Sequence, residues 1–199
     1  MPLAANAQAH PKAKAKECNH QRFIHNTQNP TLYKMILPDI LKTDLKIVFC
    51  GTAAGNKSAE RKAYYAGKAN LFYKTLTSCG FTPILLQPEQ FPELLNYQIG
   101  LTDLAKNTHG MDKDLKDEDY DTKRFEEKIL KHQPNFVCFN GKEAAKVFFG
   151  FKKTSQVSIG LQTQTIGKTK LFVAPSTSIT AFAYWDENVW QQLNILINN

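Results

Sequence analysis

The chain predicts an α/β fold, a three-layer α/β/α sandwich around a mainly parallel central sheet. Two observations carry this: continuous apolar runs of strand length recur along the sequence, and helix-like segments separate them. A third is size, since 199 residues suit a single core and domains run about 100–200 residues.

The elements follow in order. Residues 1–30, rich in Ala, Lys, Asn, Gln and His and containing PKAKAK (11–16), have no aliphatic periodicity that could pack; they read as a disordered basic tail. Residues 31–199 read as one domain. LKIVFCG (45–51) is the strongest strand, an apolar run closed by glycine and suited to cover on both faces. A helix is expected over ANLFYKTLTSCG (69–80), ended by Gly80, and a strand over TPILL (82–86). Then come a helix at YDTKRFEEKILKHQ (120–133), a strand at PNFVCFNG (134–141), a helix at KEAAKVFFGF (142–151), a strand at KLFVAPS (170–176) and a helix at DENVWQQLNILI (186–197). No internal repeat and no interdomain linker interrupt the series.

Composition narrows the function less than the pattern does. Hydrophobic residues at 42% and charged residues at 22% are ordinary for a protein with a real core. The net charge of +7 favours an acidic partner, nucleic acid above all, although a mildly basic protein without such a partner reads equally well from charge alone. Cys18, Cys50, Cys79 and Cys138 lie far apart with no CxxC pair, so each is expected as a free thiol in a reducing compartment. The N-terminus lacks the apolar core of a signal peptide, and no segment approaches the roughly 20 apolar residues of a membrane span. A cytoplasmic or nuclear protein with no membrane association is expected.

In a parallel sheet ligands gather at the carboxyl ends of the strands, here the loops after Gly51, Asn140 and Pro175. The first continues as GTAAGNKSAERKAYYAGKANLFYKTL (51–76), where a glycine-bearing turn lets backbone amides approach a ligand and an aromatic pair offers a stacking surface. GTAAG, Ser58-Ala59, Tyr65 and ANLFY resemble the first motif of the mismatch-specific uracil/thymine-DNA glycosylase family, within the uracil-DNA glycosylase superfamily. IGLTDLAKNTHGMDKDL (99–115) is similar to its G-[FL]-T-[ND] segment, FNGKEAA (139–145) to its FNGK turn, and VAPSTS (173–178) to its P-S-x-S motif. The four blocks fall in the family's order across residues 37–196.

The resemblance implies a uracil-DNA glycosylase-like fold and a monofunctional enzyme. It would flip uracil, or thymine, out of mismatched DNA and hydrolyse the N-glycosidic bond with water, leaving an abasic site. The partner would be double-stranded DNA containing U:G or similar mismatches, with single-stranded DNA as a second form, acted on by a monomer without metal or cofactor. Gly51, Thr52 and Ala53 would form the pocket loop, Tyr65 would stack on the flipped base through its ring, and Asn70 would position pocket or water unless it only caps the helix. Ser176 and Ser178 would meet phosphates, Ile179 or Thr180 would stand near the vacated stack with Phe182 as substitute wedge, and Ser58 and Lys142 would contact phosphate or brace loops.

One departure matters. The family's water-activating Asn stands third in the first loop, and Ala53 occupies that place; a methyl group orients and deprotonates nothing. Asp103 is the leading replacement as the catalytic group, because a carboxylate can hydrogen-bond the attacking water and stabilise an oxocarbenium-like sugar. A helix N-cap before LAK is its bland alternative. His109 reads as an incidental loop histidine, and Lys57, Lys68 and Lys106 as solvated surface. Two other functions stay open: a glycosylase for another deaminated or modified base, and a catalytically weak module that binds mismatched DNA.

Overall fold

A computed structural model describes residues 35–199; the basic tail read at 1–30, with Cys18, lies outside the described residues. Five strands form one sheet in the order β2-β1-β3-β5-β4, built from β1 (Ile47–Ala54), β2 (Ile99–His109), β3 (Phe136–Asn140), β4 (Gly160–Ile166) and β5 (Thr169–Ala174). β1 runs parallel to β2 and β3, β3 runs parallel to β5, and β4 closes the edge antiparallel to β5.

Strand alternation sorts the core into two layers. From β1, Ile47 and Phe49 join Phe72 and Leu76 of α2 (Phe72–Ser78) and Trp190 and Leu193 of α5 (Glu187–Asn198). Val48 and Cys50 turn to the other face and pack with Phe125 and Ile129 of α3 (Thr122–His132) and Ala144 and Ala145 of α4 (Lys142–Phe149). The three-layer α/β/α sandwich follows. The side-chain carboxylates of Asp121 and Asp186 accept the first-turn amides of α3 and α5, so both helices begin on an aspartate N-cap.

The four expected helices all form, each within a few residues of its expected bounds. A six-residue helix α1 (Asn56–Arg61) and a 3-10 segment (Pro88–Tyr97) add to them. The strand expected over 82–86 does not form. Pro83 removes a ladder donor there, Ile84 and Leu85 lie exposed, and the Ile84 carbonyl is taken by the Thr77 and Thr82 hydroxyls. The second strand of the sheet is instead residues 99–109, which places Asp103 inside a strand and removes the helix-cap alternative. β4 has no counterpart among the expected strands, because its Gln- and Thr-rich run belongs to an exposed edge.

Cys50, Cys79 and Cys138 are buried free thiols. Among the described residues no helix is long and apolar enough to cross a membrane.

Candidate active site

Register brings the first two motifs together. Gly51 pairs with Asp103 and Ala53 with Ala105, before a bulge shifts Ala54 onto His109. Asp103 is 4% exposed, and a Cβ at position 51 would stand 2.7 Å from its Oδ1 and 3.7 Å from the Tyr65 hydroxyl. Glycine is therefore required sterically: it clears the space that the carboxylate and the phenol share. Gly51→Ala is expected to displace the carboxylate at a cost of about 1–3 kcal/mol, as for other overpacked positions. An unfolding midpoint equal to that of the unmodified protein, with the carboxylate unmoved, would count against this packing.

Burial pushes the Asp103 carboxyl up to about 6; the Lys106 charge pulls the other way, and the Asp39 carboxylate adds to the rise. The group is thus mostly ionised at neutral pH yet basic enough to take a proton. A charged network lies along the same edge of the sheet. Asp39 receives Lys106 at 2.8 Å, Lys128 at 2.6 Å and the Thr102 hydroxyl at 2.7 Å. Lys106 also donates to the Tyr64 hydroxyl at 2.8 Å, and Tyr64 donates on to the Pro38 carbonyl. Burial raises Asp39, but the two ammonium groups outweigh it and hold its carboxyl below the usual range. Lys106, expected as solvated surface, is 9% exposed; pairing with Asp39 is what lets its charge leave water. Lys57 does lie at the surface, against Glu60.

Tyr65 sits in a turn that local bonds fix. The Ser58 hydroxyl accepts from the Ala66 amide, the Ser58 carbonyl accepts from the Ala63 amide, and Arg61 donates to the Ala66 carbonyl. Within this turn Tyr65 is left-handed at φ 54°, an uncommon conformation for a bulky residue. Its ring stacks on Phe72 at 3.9 Å between centroids, which covers one face. The buried hydroxyl has no hydrogen-bond partner among the described residues. Burial, then the Asp103 charge, pushes the phenol well above its ordinary range against a pull from the neighbouring Asn140 side chain, so it stays a neutral donor. Ser58, named for DNA contact or bracing, is buried in this turn. Asn70 accepts from the Phe72 amide at 2.9 Å at the start of α2.

The third and fourth motifs are tied together through Thr177. Asn140 donates to the Thr177 hydroxyl at 2.8 Å and accepts from its amide at 3.0 Å, while the Thr177 carbonyl accepts from Leu71. Gly141 at φ 113° passes Ser176 closely, its missing Cβ lying 3.0 Å from that of Ser176. Ser176 accepts from the Ser178 amide, and Ser178 shares a 2.9 Å bond with Thr180. Beyond them Ile179 and Phe182 are each more than half exposed, and Tyr184 is 82% exposed. Lys142 opens α4.

Gly51, Asp103, Tyr65 and Asn140 thus converge in the layer of the sheet where β3 ends, Gly51 and Asp103 lying within β1 and β2. Thr52 does not join them. Strand alternation turns it to the opposite face, where it bonds Asp112. Ala53 shares the face of Gly51. His109 ends β2 against Asn56, at the surface. Thr177 and Asp39 were absent from the sequence-derived candidates; Thr177 lay inside a quoted motif, whereas nothing local distinguished Asp39.

Comparison with known proteins bears on the fold and the family. The fold is similar to the solution NMR structure of a provisionally assigned uracil DNA glycosylase from Methanosarcina acetivorans, with a TM-score of 0.55 and 18% identity over 82% of this chain and 97% of that one. The family profile of the Uracil DNA glycosylase superfamily matches residues 38–196, a span that contains all four motifs and every residue of the site above, and the chain belongs to that superfamily.

Proposed function

We propose that this chain is a monofunctional DNA glycosylase that flips uracil, or thymine, out of mismatched duplex DNA and hydrolyses its N-glycosidic bond. The observation that carries the reading is the Asp103 carboxylate. It is buried over Gly51, within reach of neutral titration, in the layer where β3 ends, on the side of the sheet where this architecture binds ligands.

Extrusion costs a few kcal/mol of unstacking and unpairing and is cheapest at a mismatch, so poor pairing selects the substrate. The free face of Tyr65 takes the base. As the C1′–N bond breaks, its electron pair leaves with the base while ionised Asp103 stabilises the positive sugar. Water adds to C1′ and gives up its proton to Asp103, from which it passes to the departing base. Ser176, Ser178 and Lys142 meet the backbone, and exposed Ile179, Thr180 or Phe182 fills the vacated stack. Lys142 suits phosphate because a cation at a helix N-terminus opposes the dipole and is relieved by an anion.

Release of alkali-labile abasic sites from U:G, T:G, U:A and single-stranded U substrates tests this reading. Binding to mismatched duplexes without any strand cleavage after alkali would instead mark a recognition module. Release confined to hypoxanthine or an oxidised cytosine would move the lesion class.

Residues 1–30, with Lys12, Lys14 and Lys16, supply added non-specific DNA affinity in this proposal. Deleting them is expected to weaken binding mainly at low salt and to flatten the log Kd against log salt slope by roughly 0.9 per lost phosphate contact. The single-turnover rate on saturated enzyme should stay unchanged. An unaltered slope would deny the segment this role.

A further inference from the structure

Resting on the glycosylase reading, we infer that the Tyr65 hydroxyl is a specificity-determining group that donates a hydrogen bond to a carbonyl oxygen of the extruded base. The ring was expected to act through stacking alone; the hydroxyl is the new element.

Four observations support it. The hydroxyl is buried beside the Asn140 side chain but makes no hydrogen bond of good geometry among the described residues, a state that costs folding free energy which phenylalanine would avoid. The residue is held in left-handed backbone at φ 54° by the Ser58, Ala63 and Arg61 bonds on either side of it, so the turn is built around this placement. Phe72, stacked at 3.9 Å, keeps the ring from swinging away. The missing side chain of Gly51 lets the hydroxyl and the Asp103 carboxylate approach the same point, a Cβ there lying 3.7 Å from the one and 2.7 Å from the other.

The chemistry selects the ligand edge. A neutral phenol can donate to a base carbonyl, whereas an exocyclic amine could only donate to the phenol oxygen and would leave the hydroxyl proton unpaired. Deamination turns the cytosine amine into O4 of uracil and the adenine amine into O6 of hypoxanthine, so a bond to that oxygen favours the deaminated base, whereas a bond to O2, which cytosine and uracil share, would not discriminate. When the C1′–N bond breaks, the electron pair passes to the base and its carbonyl oxygens gain negative charge. The bond from Tyr65 then strengthens in the transition state and acts on the rate more than on binding.

The experiment compares Tyr65→Phe and Tyr65→Ala with the unmodified full chain in single-turnover excision, duplex binding and thermal unfolding. Tyr65→Phe is expected to excise uracil about 10²-fold more slowly, as for other transition-state donors, with the duplex Kd within about twofold. Its unfolding midpoint should be equal or higher, since an unpaired buried hydroxyl is gone. Tyr65→Ala should lose stacking as well and fall further. Equal excision by Tyr65→Phe and the unmodified enzyme overturns the inference alone. So does a slowed variant whose midpoint has fallen, which would assign the hydroxyl to the fold, or one whose only change is a shifted acid midpoint, which would assign it to Asp103. If the unmodified protein releases no base from any substrate, the glycosylase reading fails and the inference with it.

Discussion

Asp103→Asn is expected to lower single-turnover base excision by about 10²-fold or more while leaving duplex binding intact, the loss typical of removing a general base or a charge-stabilising group. An amide is nearly isosteric with the carboxylate, so the space over Gly51 stays filled and the variant isolates the charge. The pH dependence follows from the same group. Because burial raises the carboxyl to about 6, excision by the unmodified enzyme should rise with pH through about 6 and level off above it, as the ionised form is the active one. In Asp103→Asn that acid limb should vanish.

Stability should move the opposite way. A carboxyl whose folded pKa lies above its unfolded value favours the fold at low pH, and that contribution is lost as pH rises through about 6. At pH 8 the amide escapes this cost, so the variant should unfold no earlier than the unmodified protein. A variant that excises at the unmodified rate, or that loses activity only because it unfolds, would show that Asp103 is structural. Position 53 offers a second check. Ala53 lies two residues beyond Gly51 on the same strand face, so Ala53→Asn in the Asp103→Asn background should partly restore excision.

The sheet was legible where strands are covered on both faces. Residues 47–51 and 136–139 are apolar without a break because both core layers touch them, and a run of that kind has one reading at strand length. β2 escaped because the same pattern is broken by two charged residues. Asp103 and Lys106 interrupt the apolar run of 99–109, and a strand that stores two charged side chains looks like a loop. The misread strand at 82–86 is the converse: four apolar residues in a row with nothing packed over Ile84 or Leu85. Motif order put Gly51, Tyr65, Asp103 and Asn140 in separate segments, and the structure brings the four into one layer of the sheet. What no local pattern conveys is the turn that traps the Tyr65 hydroxyl, or Asp39, whose partners come from β2 and α3.

Asp39 and its partners support the largest expected loss of stability. Lys106→Met removes a nearly buried ammonium from a site where Asp39 takes three donors. Breaking a buried ion pair from one side costs about 3–5 kcal/mol, because the remaining charge is left in poor solvent. Lys128 and Thr102 stay bonded to Asp39, and Tyr64 keeps the Pro38 carbonyl, so the loss should fall at the lower end of that range. For a domain of this size that is a fall of roughly 6–12 °C in Tm, and it should persist in high salt, which screens exposed pairs but not this one. Asp39→Asn introduced together with Lys106→Met should deepen the loss, because Lys128 would then be left without its carboxylate. A single variant within about 1 kcal/mol of the unmodified protein, or one whose deficit disappears in 1 M salt, as screening predicts for exposed charges, would show the pair to be solvated in solution.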